Sequence, residues 1–370
     1  MSCDLPSDSG MVRPLVSILL PNLNTYPFLA SRIQSIFAQT YENWELIIGD
    51  SYSTDGAWEF LAEVARKNPD KVTAFQIPKG LYRGWDLCLE RARGKYVYIA
   101  TSDDGMRPDC LEKMVAALEA HPDCDICDSL LQMIDENDRD IPFDSPEYFV
   151  KRAHIDFPLD RPHKRLAPHD FILHLSGQTV YTSITQVLIR RTVFEKYGDF
   201  AVDVGSNADL LWAMRVSQHC NVCFVPEKLS SWRRYSGQAT QQKKHLLARL
   251  LAWDFSPVVR RSTHPAVFIV DELTKCSVLL PEEREKNLLY YQWLCFFLNC
   301  RPAAGWRLCT LLKKTVLHPW YMLWAVGFVL CFAVRCRFAV YRILGEYVKR
   351  YACKRPIKEY IIPEDGNMQN

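Results

Sequence analysis

Two aspartates, Asp103 and Asp104, stand side by side in the segment TSDDG, directly after the apolar run YVYIA. Adjacent carboxylates in a tight turn repel one another and raise each other's proton affinity unless a cation neutralises them. Oxygen-only ligands select hard ions such as Mg2+ or Mn2+, which prefer a few carboxylates completed by substrate phosphates. A diphosphate would complete such a site. The competing reading is a solvated turn, since Asp-Asp-Gly is ordinary turn chemistry. Thiols form a second candidate ligand set: Cys124 with Cys127 and Cys220 with Cys223 make two C-x-x-C pairs, a spacing used by structural zinc sites. Both DCDICDS and HCNVCFV read as short strands, where side chains three residues apart point to opposite faces, so these cysteines are expected as buried thiols. His154, His163, His169 and His174 are irregularly spaced, which suits surface or acceptor-loop roles better than a metal.

The elements that must carry the acidic turn follow from periodicity. From Val16 to about Leu131, short apolar runs (VSILL, WELIIG, VTAFQI, YVYIA) alternate with amphipathic stretches, the signature of βαβ units and a mostly parallel sheet flanked by helices. Between the first two runs, Leu29, Ile33, Ile36 and Phe37 recur at helical spacing behind a cap at Asn24 or Thr25. In open sheets of this kind, ligands bind beyond the carboxyl ends of the strands. Those ends are the loops PNLN, DSYSTDG and TSDDG. The fold class expected is α/β and Rossmann-like. An irregular segment from Asp140 to about Thr179 reads as an insertion over one side of the sheet, and regular patterning resumes at QVLIRRTVFEKYGDF.

A chain of 370 residues, 48% of them hydrophobic, can bury a full core and an additional subdomain. Lys and Arg (45) nearly balance Asp and Glu (43), so no overall basic field points to nucleic acid. MSCDLPSDSG lacks both a basic stretch and an apolar stretch of a secretory leader, which places the expected catalytic part in the cytoplasm and keeps the 14 cysteines reduced.

Taken together, VSILLPNLN, SIFAQTYENWELIIGDSYSTDGA and ERARGKYVYIATSDDGMRPDCLEKM resemble the family 2 glycosyltransferases of GT-A fold, in order and over about residues 15 to 240. The resemblance implies transfer of a sugar from a nucleoside-diphosphate sugar with Mn2+ or Mg2+, and family members that often build bacterial cell-surface polysaccharides. Carried over by position, Asp50 would accept a hydrogen bond from a pyrimidine base, with Pro21 and Asn22 lining the pocket. Asp103 and Asp104 would hold the metal and diphosphate, Asp104 being the preferred direct ligand. Arg83 would sit in a donor-contacting loop, with a plain surface arginine as the alternative. GSNADLLWAMR resembles the acceptor-side acidic motif, but Ser206 and Asn207 replace its acidic pair. That leaves Asp209 as the expected base, with Asp203 as substitute, against a simple helix-start aspartate favoured by the dipole. WRRYSGQAT resembles the segment after the last core strand: Arg233 and Arg234 would neutralise the diphosphate, and Tyr235 stands where a histidine is usual.

The expected division is a tail over 1–14, a catalytic domain over 15–240 (nucleotide half 15–131, acceptor half 132–240) and a helical module over 241–370. In that module VLHPWYMLWAVGFVLCFAV (316–334) barely reaches spanning length, and residues 335–358 hold eight Lys or Arg against one Glu, with aromatics at helical spacing. The pattern suits a membrane-associating segment, peripheral or single-span, at the inner face of the membrane, with a helical subdomain packed on the core as the alternative. A lipid-linked or glycan acceptor would unite the two halves. Two other functions compete: a nucleotidyltransferase, which would want a glycine-rich phosphate loop that PNLN is not, and a catalytically inactive nucleotide-sugar-binding scaffold, favoured by Ser206 and Asn207.

Overall fold

The computed structural model describes residues 13–142, 159–175, 180–201, 208–235, 265–297, 315, 322–323 and 357–363. Strand β1 (Val16–Asn22) is buried along its whole length, as a continuous apolar run should be when helices cover both faces of a parallel sheet. It is followed by α1 (Tyr26–Phe37), β2 (Trp44–Asp50), α2 (Ala57–Lys67), β3 (Val72–Gln76), α3 (Leu81–Leu89) and β4 (Tyr96–Ile99). β1 pairs in parallel with β2 and β4, and β2 with β3. These strands match the four apolar runs, and α1 begins after Thr25 and buries Leu29, Ile33 and Ile36.

After the acidic turn come the two-residue β5 (Gly105–Met106), α4 (Cys110–Ala120), β6 (Ile126–Ile134), β7 (His163–Arg165), α5 (His169–His174), β8 (Val187–Arg190), α6 (Arg191–Tyr197), α7 (Ala208–Val216) and β9 (Val222–Arg233). β10 (Ile361–Pro363) closes the sheet, whose order is β10-β7-β9-β6-β8-β4-β1-β2-β3, with β5 paired to β9. β8 runs antiparallel between β4 and β6, so the sheet is parallel in its first half and mixed in its second.

Alternation along β1 divides the core. Ile18 and Leu20 face a cluster built with α1 and α4, whereas Leu19 faces one built with α3, α6 and α7 around Trp212. Cys127 lies opposite Cys223 in the β6–β9 ladder. Cys124 precedes β6 and joins Cys127 and Cys223 in one core cluster, whereas Cys220 lies in the other, so only the second C-x-x-C pair divides between the two faces; all four are buried thiols, as expected.

Beyond β9, helix α8 (Pro265–Lys275) packs against α7 and forms a hairpin with α9 (Pro281–Phe297). The chain then returns to the central sheet: Ile361 pairs with Arg165 and Pro363 with His163, antiparallel. The described parts of residues 241–370 are thus joined to the core at two places. Of the 316–358 stretch, nearly all lies outside the described residues, and the membrane expectation lies there with it. No helix among the described residues is long and apolar enough to cross a membrane.

Candidate active site

The loops after β1 and β2 are hydrogen-bonded into one unit. Asn22 and Asp50 face each other as the last register pair of the two strands, and Asn22 Nδ2 donates to Asp50 Oδ1 over 2.8 Å. Ser53 closes the turn, its N–H on Asp50 Oδ2 at 2.9 Å and its hydroxyl on Oδ1 at 2.6 Å. Asn24 N donates to Ser53 Oγ and Thr54 N to Asn24 Oδ1. Asp50 is 0% exposed. Its carboxylate oxygens are hydrogen-bonded within the loop that they shape. Pro21 sits one step before, against α3, where Gly84 permits the approach: a Cβ there would stand 3.3 Å from Pro21 Cβ.

The second cluster is the acidic turn. Asp104 is buried, with Oδ1 accepting from Arg233 N at 2.9 Å and Oδ2 accepting from the hydroxyls of Thr101 and, at 3.3 Å, Ser183. Asp103 is half-buried and accepts at Oδ2 from Tyr235 over 3.1 Å. Burial raises both carboxyls above the ordinary range, and for Asp104 the neighbouring Asp103 charge raises it further. Asp103, not Asp104, offers the more open carboxylate. Close approach of β5 to β9 fixes the turn, since a Cβ on Gly105 would fall 2.6 Å from Ser231 Oγ.

Arg233 is 1% exposed, and its guanidinium is turned inward. Nε donates to the Asp103 carbonyl at 2.7 Å, Nη1 to the Asp135 carbonyl at 2.9 Å, and Nη2 to the Asp138 carboxylate. Its position makes it the clamp of the acidic turn, where the sequence suggested a diphosphate contact. Arg234, half-buried, is the member of the pair left nearer solvent. Asp209 lies in the first turn of α7, where Oδ1 accepts from Tyr82 OH at 3.4 Å; Tyr82 adjoins the exposed Arg83 on α3. Burial and the Asp209 charge drive the Tyr82 hydroxyl well above its usual range, so it serves as a donor. Asp203, Ser206 and Asn207 lie outside the described residues.

These clusters meet around the starts of α1 and α3. Phe28 touches the Tyr235 ring (centroids 4.7 Å apart) and lies under the Arg233 guanidinium at 4.9 Å. Sequence reading missed three contributors. Ser183 sits on a turn whose Gln186 amide donates to Asp128 Oδ1 at 2.7 Å, and Asp128 in turn pairs with the buried Arg165 at 2.8 Å. Ser53 was hidden because serine in a turn carries no distinctive signal. Arg32 was findable: it shares the buried stripe of α1 with Leu29, Ile33 and Ile36, and its guanidinium lies 5.8 Å from the Tyr98 ring centroid without a hydrogen bond among the described residues.

A family model, Glycosyl transferase family 2, matches residues 17–198, the span that holds Asn22, Asp50 and the acidic turn. Residues 17–198 form a glycosyl transferase family 2 domain. Its family 2 relatives include the EpsE protein of Bacillus subtilis (strain 168), 35% identical over 125 residues that cover 33% of this chain and 45% of that one. Glycosyltransferase GlyG of Streptococcus pneumoniae serotype 4 is 28% identical across 63% of this chain and 66% of its own. The chain spans less than half the length of several of these curated relatives. Among solved structures, S. aureus TarS 1-349 in complex with UDP-GlcNAc superposes with a TM-score of 0.56 at 15% identity, over 93% of this chain and 89% of that one. Mannosyltransferase PcManGT from Pyrobaculum calidifontis, in complex with GDP-Man and Mn2+, gives 0.50 at 18% identity over 91% and 87%. These likenesses identify the family 2 architecture as GT-A.

Proposed function

We propose that this chain is an inverting, divalent-metal-dependent glycosyltransferase that moves a sugar from a nucleoside-diphosphate sugar to a glycan or lipid-linked acceptor. The observation that carries the reading is the pair Asp103–Asp104, two carboxyls of raised proton affinity held by Arg233, Thr101 and Tyr235 where the parallel strands end. An all-oxygen pair of this kind fits a hard divalent ion, and the open carboxylate of Asp103 and the anchored one of Asp104 would hold it. When bound, the metal supplies Lewis-acid stabilisation of the departing nucleoside diphosphate. UDP-GlcNAc in TarS and GDP-Man with Mn2+ in PcManGT support a nucleotide-sugar donor and a divalent ion.

The chain's own groups do the rest. The loop unit of Pro21, Asn22 and Asp50 borders the nucleoside, and Arg234 and Arg83 are the cations nearer solvent that would meet diphosphate oxygens. Asp209 takes the proton of the acceptor hydroxyl as that oxygen attacks the anomeric carbon, the carbon–phosphate-oxygen bond breaking on the opposite face. Tyr82 holds the Asp209 carboxylate in place. The apolar and basic composition of residues 316–358 supports an acceptor presented at the cytoplasmic face of a membrane.

Thermal melts with UDP and GDP, each with and without Mn2+, test the reading. A ligand that binds only the folded chain raises its melting temperature by mass action, about 2.7 kcal/mol at a hundredfold excess over Kd. One nucleotide should stabilise the chain in a Mn2+-dependent manner, and Asp103→Ala and Asp104→Ala should each abolish the metal-dependent part. No stabilisation by any nucleoside diphosphate would sink the proposal. Donor binding without transfer or donor hydrolysis would instead favour the scaffold reading that Ser206 and Asn207 suggest.

A further inference from the structure

Tyr52 has a backbone φ of +54°. Bulky side chains rarely adopt the left-handed region, because Cβ crowds the backbone there. Residues held this way persist only when their surroundings over-determine them, and they gather where a ligand is handled. The surroundings of Tyr52 do over-determine it. Before it, Ser51 N donates to the Asn22 carbonyl at 2.8 Å; after it, Ser53 bonds to both oxygens of Asp50, and Asn22 Nδ2 reaches Ser53 Oγ at 3.1 Å. A carboxylate that is 0% exposed is thus committed to fixing a turn whose central residue is 55% exposed.

No ring contact within the described residues employs the Tyr52 side chain, although the loop that presents it is among the most tightly hydrogen-bonded parts of the site. Leu23 (43% exposed) and Tyr26 (48% exposed) lie on the adjoining loop, so three of the large exposed hydrophobic residues share one small region at the carboxyl end of the strands. A surface aromatic group turned outward at strain, next to a buried acid committed to its own turn, is arranged to offer a flat apolar face.

The geometry points to Tyr52 as a further binding residue of the donor pocket, its ring forming the platform on which the nucleobase of a nucleoside diphosphate stacks. This rests on the donor-site reading above. Ring stacking then supplies affinity for the base. Stacking tolerates any base, because every base presents a π-face.

Strain and function make opposite predictions for one substitution, which separates this role from a structural one. Tyr52→Gly removes the left-handed penalty, so its melting temperature should equal or exceed that of the parent. It also removes the platform, so Kd for UDP or GDP with Mn2+, measured by calorimetry, should rise about tenfold or more, the range of a lost base–aromatic stack. Tyr52→Phe keeps the ring and should bind within about threefold of the parent. A Tyr52→Gly variant that binds as the parent does overturns the assignment while leaving the donor site intact. A fall in its melting temperature overturns it too, since the ring would then be a packing element. A parent protein that binds neither nucleotide overturns the donor-site reading itself, and this inference with it.

Discussion

At the scale of single residues, Asp86 on α3 shows how burial sets a pH dependence. It is 7% exposed and accepts from Phe200 N at 3.1 Å. Burial pushes its carboxyl up to about 6, and the nearby Asp199 charge adds to the rise. A folded-state value above the unfolded one means that folding favours the protonated acid. The associated stability is complete below about pH 4 and disappears as pH climbs through about 6. Asp86→Asn, neutral at every pH, should therefore be more stable than the parent at pH 8, by up to about 3 kcal/mol, with the gap closing as pH falls below about 5. Urea unfolding of both proteins at pH 5 and pH 8 checks it. The same scale shows what spacing can and cannot reveal. Asp103 and Asp104 announce themselves by adjacency, because two carboxylates in one turn need an explanation. The inward turn of Arg233 does not: its partners Asp103, Asp135 and Asp138 come from segments about a hundred residues away, and only the β5–β9 and β6–β9 pairings bring them within reach.

Among elements, the parallel half of the sheet was readable because each of its strands is a buried apolar run that repeats in alternation with helices. β1, β2, β3 and β4 fall where VSILL, WELIIG, VTAFQI and YVYIA predict them. β7 and β10 were not readable. Each has three residues, too few for a period, and their partnership joins positions about 200 residues apart. Ile361 makes that partnership more than a ladder of backbone bonds, since its side chain is 8% exposed and packs against Phe224 of β9. Ile361→Ala should cost about 2 kcal/mol or more, the usual loss for a buried aliphatic truncation. Amides near Leu166, whose N–H bonds to the Tyr360 carbonyl at 2.8 Å, should exchange faster with solvent in the variant. Hydrogen exchange alongside a thermal melt measures both effects, and an unchanged melt would mean that β10 adds nothing to the fold.

For the whole molecule, the pairing of β10 with β7 constrains how the chain can be threaded. Helix α9 ends at Phe297, and the described chain from residue 357 leads into a strand of the same sheet that carries Asp50 and the acidic turn. Helix α9 and strand β10 are thus on one side of any bilayer. An odd number of crossings would put Ile361 and Arg165 in different aqueous compartments, which their hydrogen-bonded register forbids. The two described ends that flank the apolar run 316–334 therefore share one compartment. Charge-selective labelling of single cysteines introduced on either side of that run, in sealed vesicles, should find both sites in the same compartment. Strand β10 is then a second fastening of the chain to the sheet, so that whatever lies between α9 and β10 is tethered at both ends to the body that carries the acidic turn.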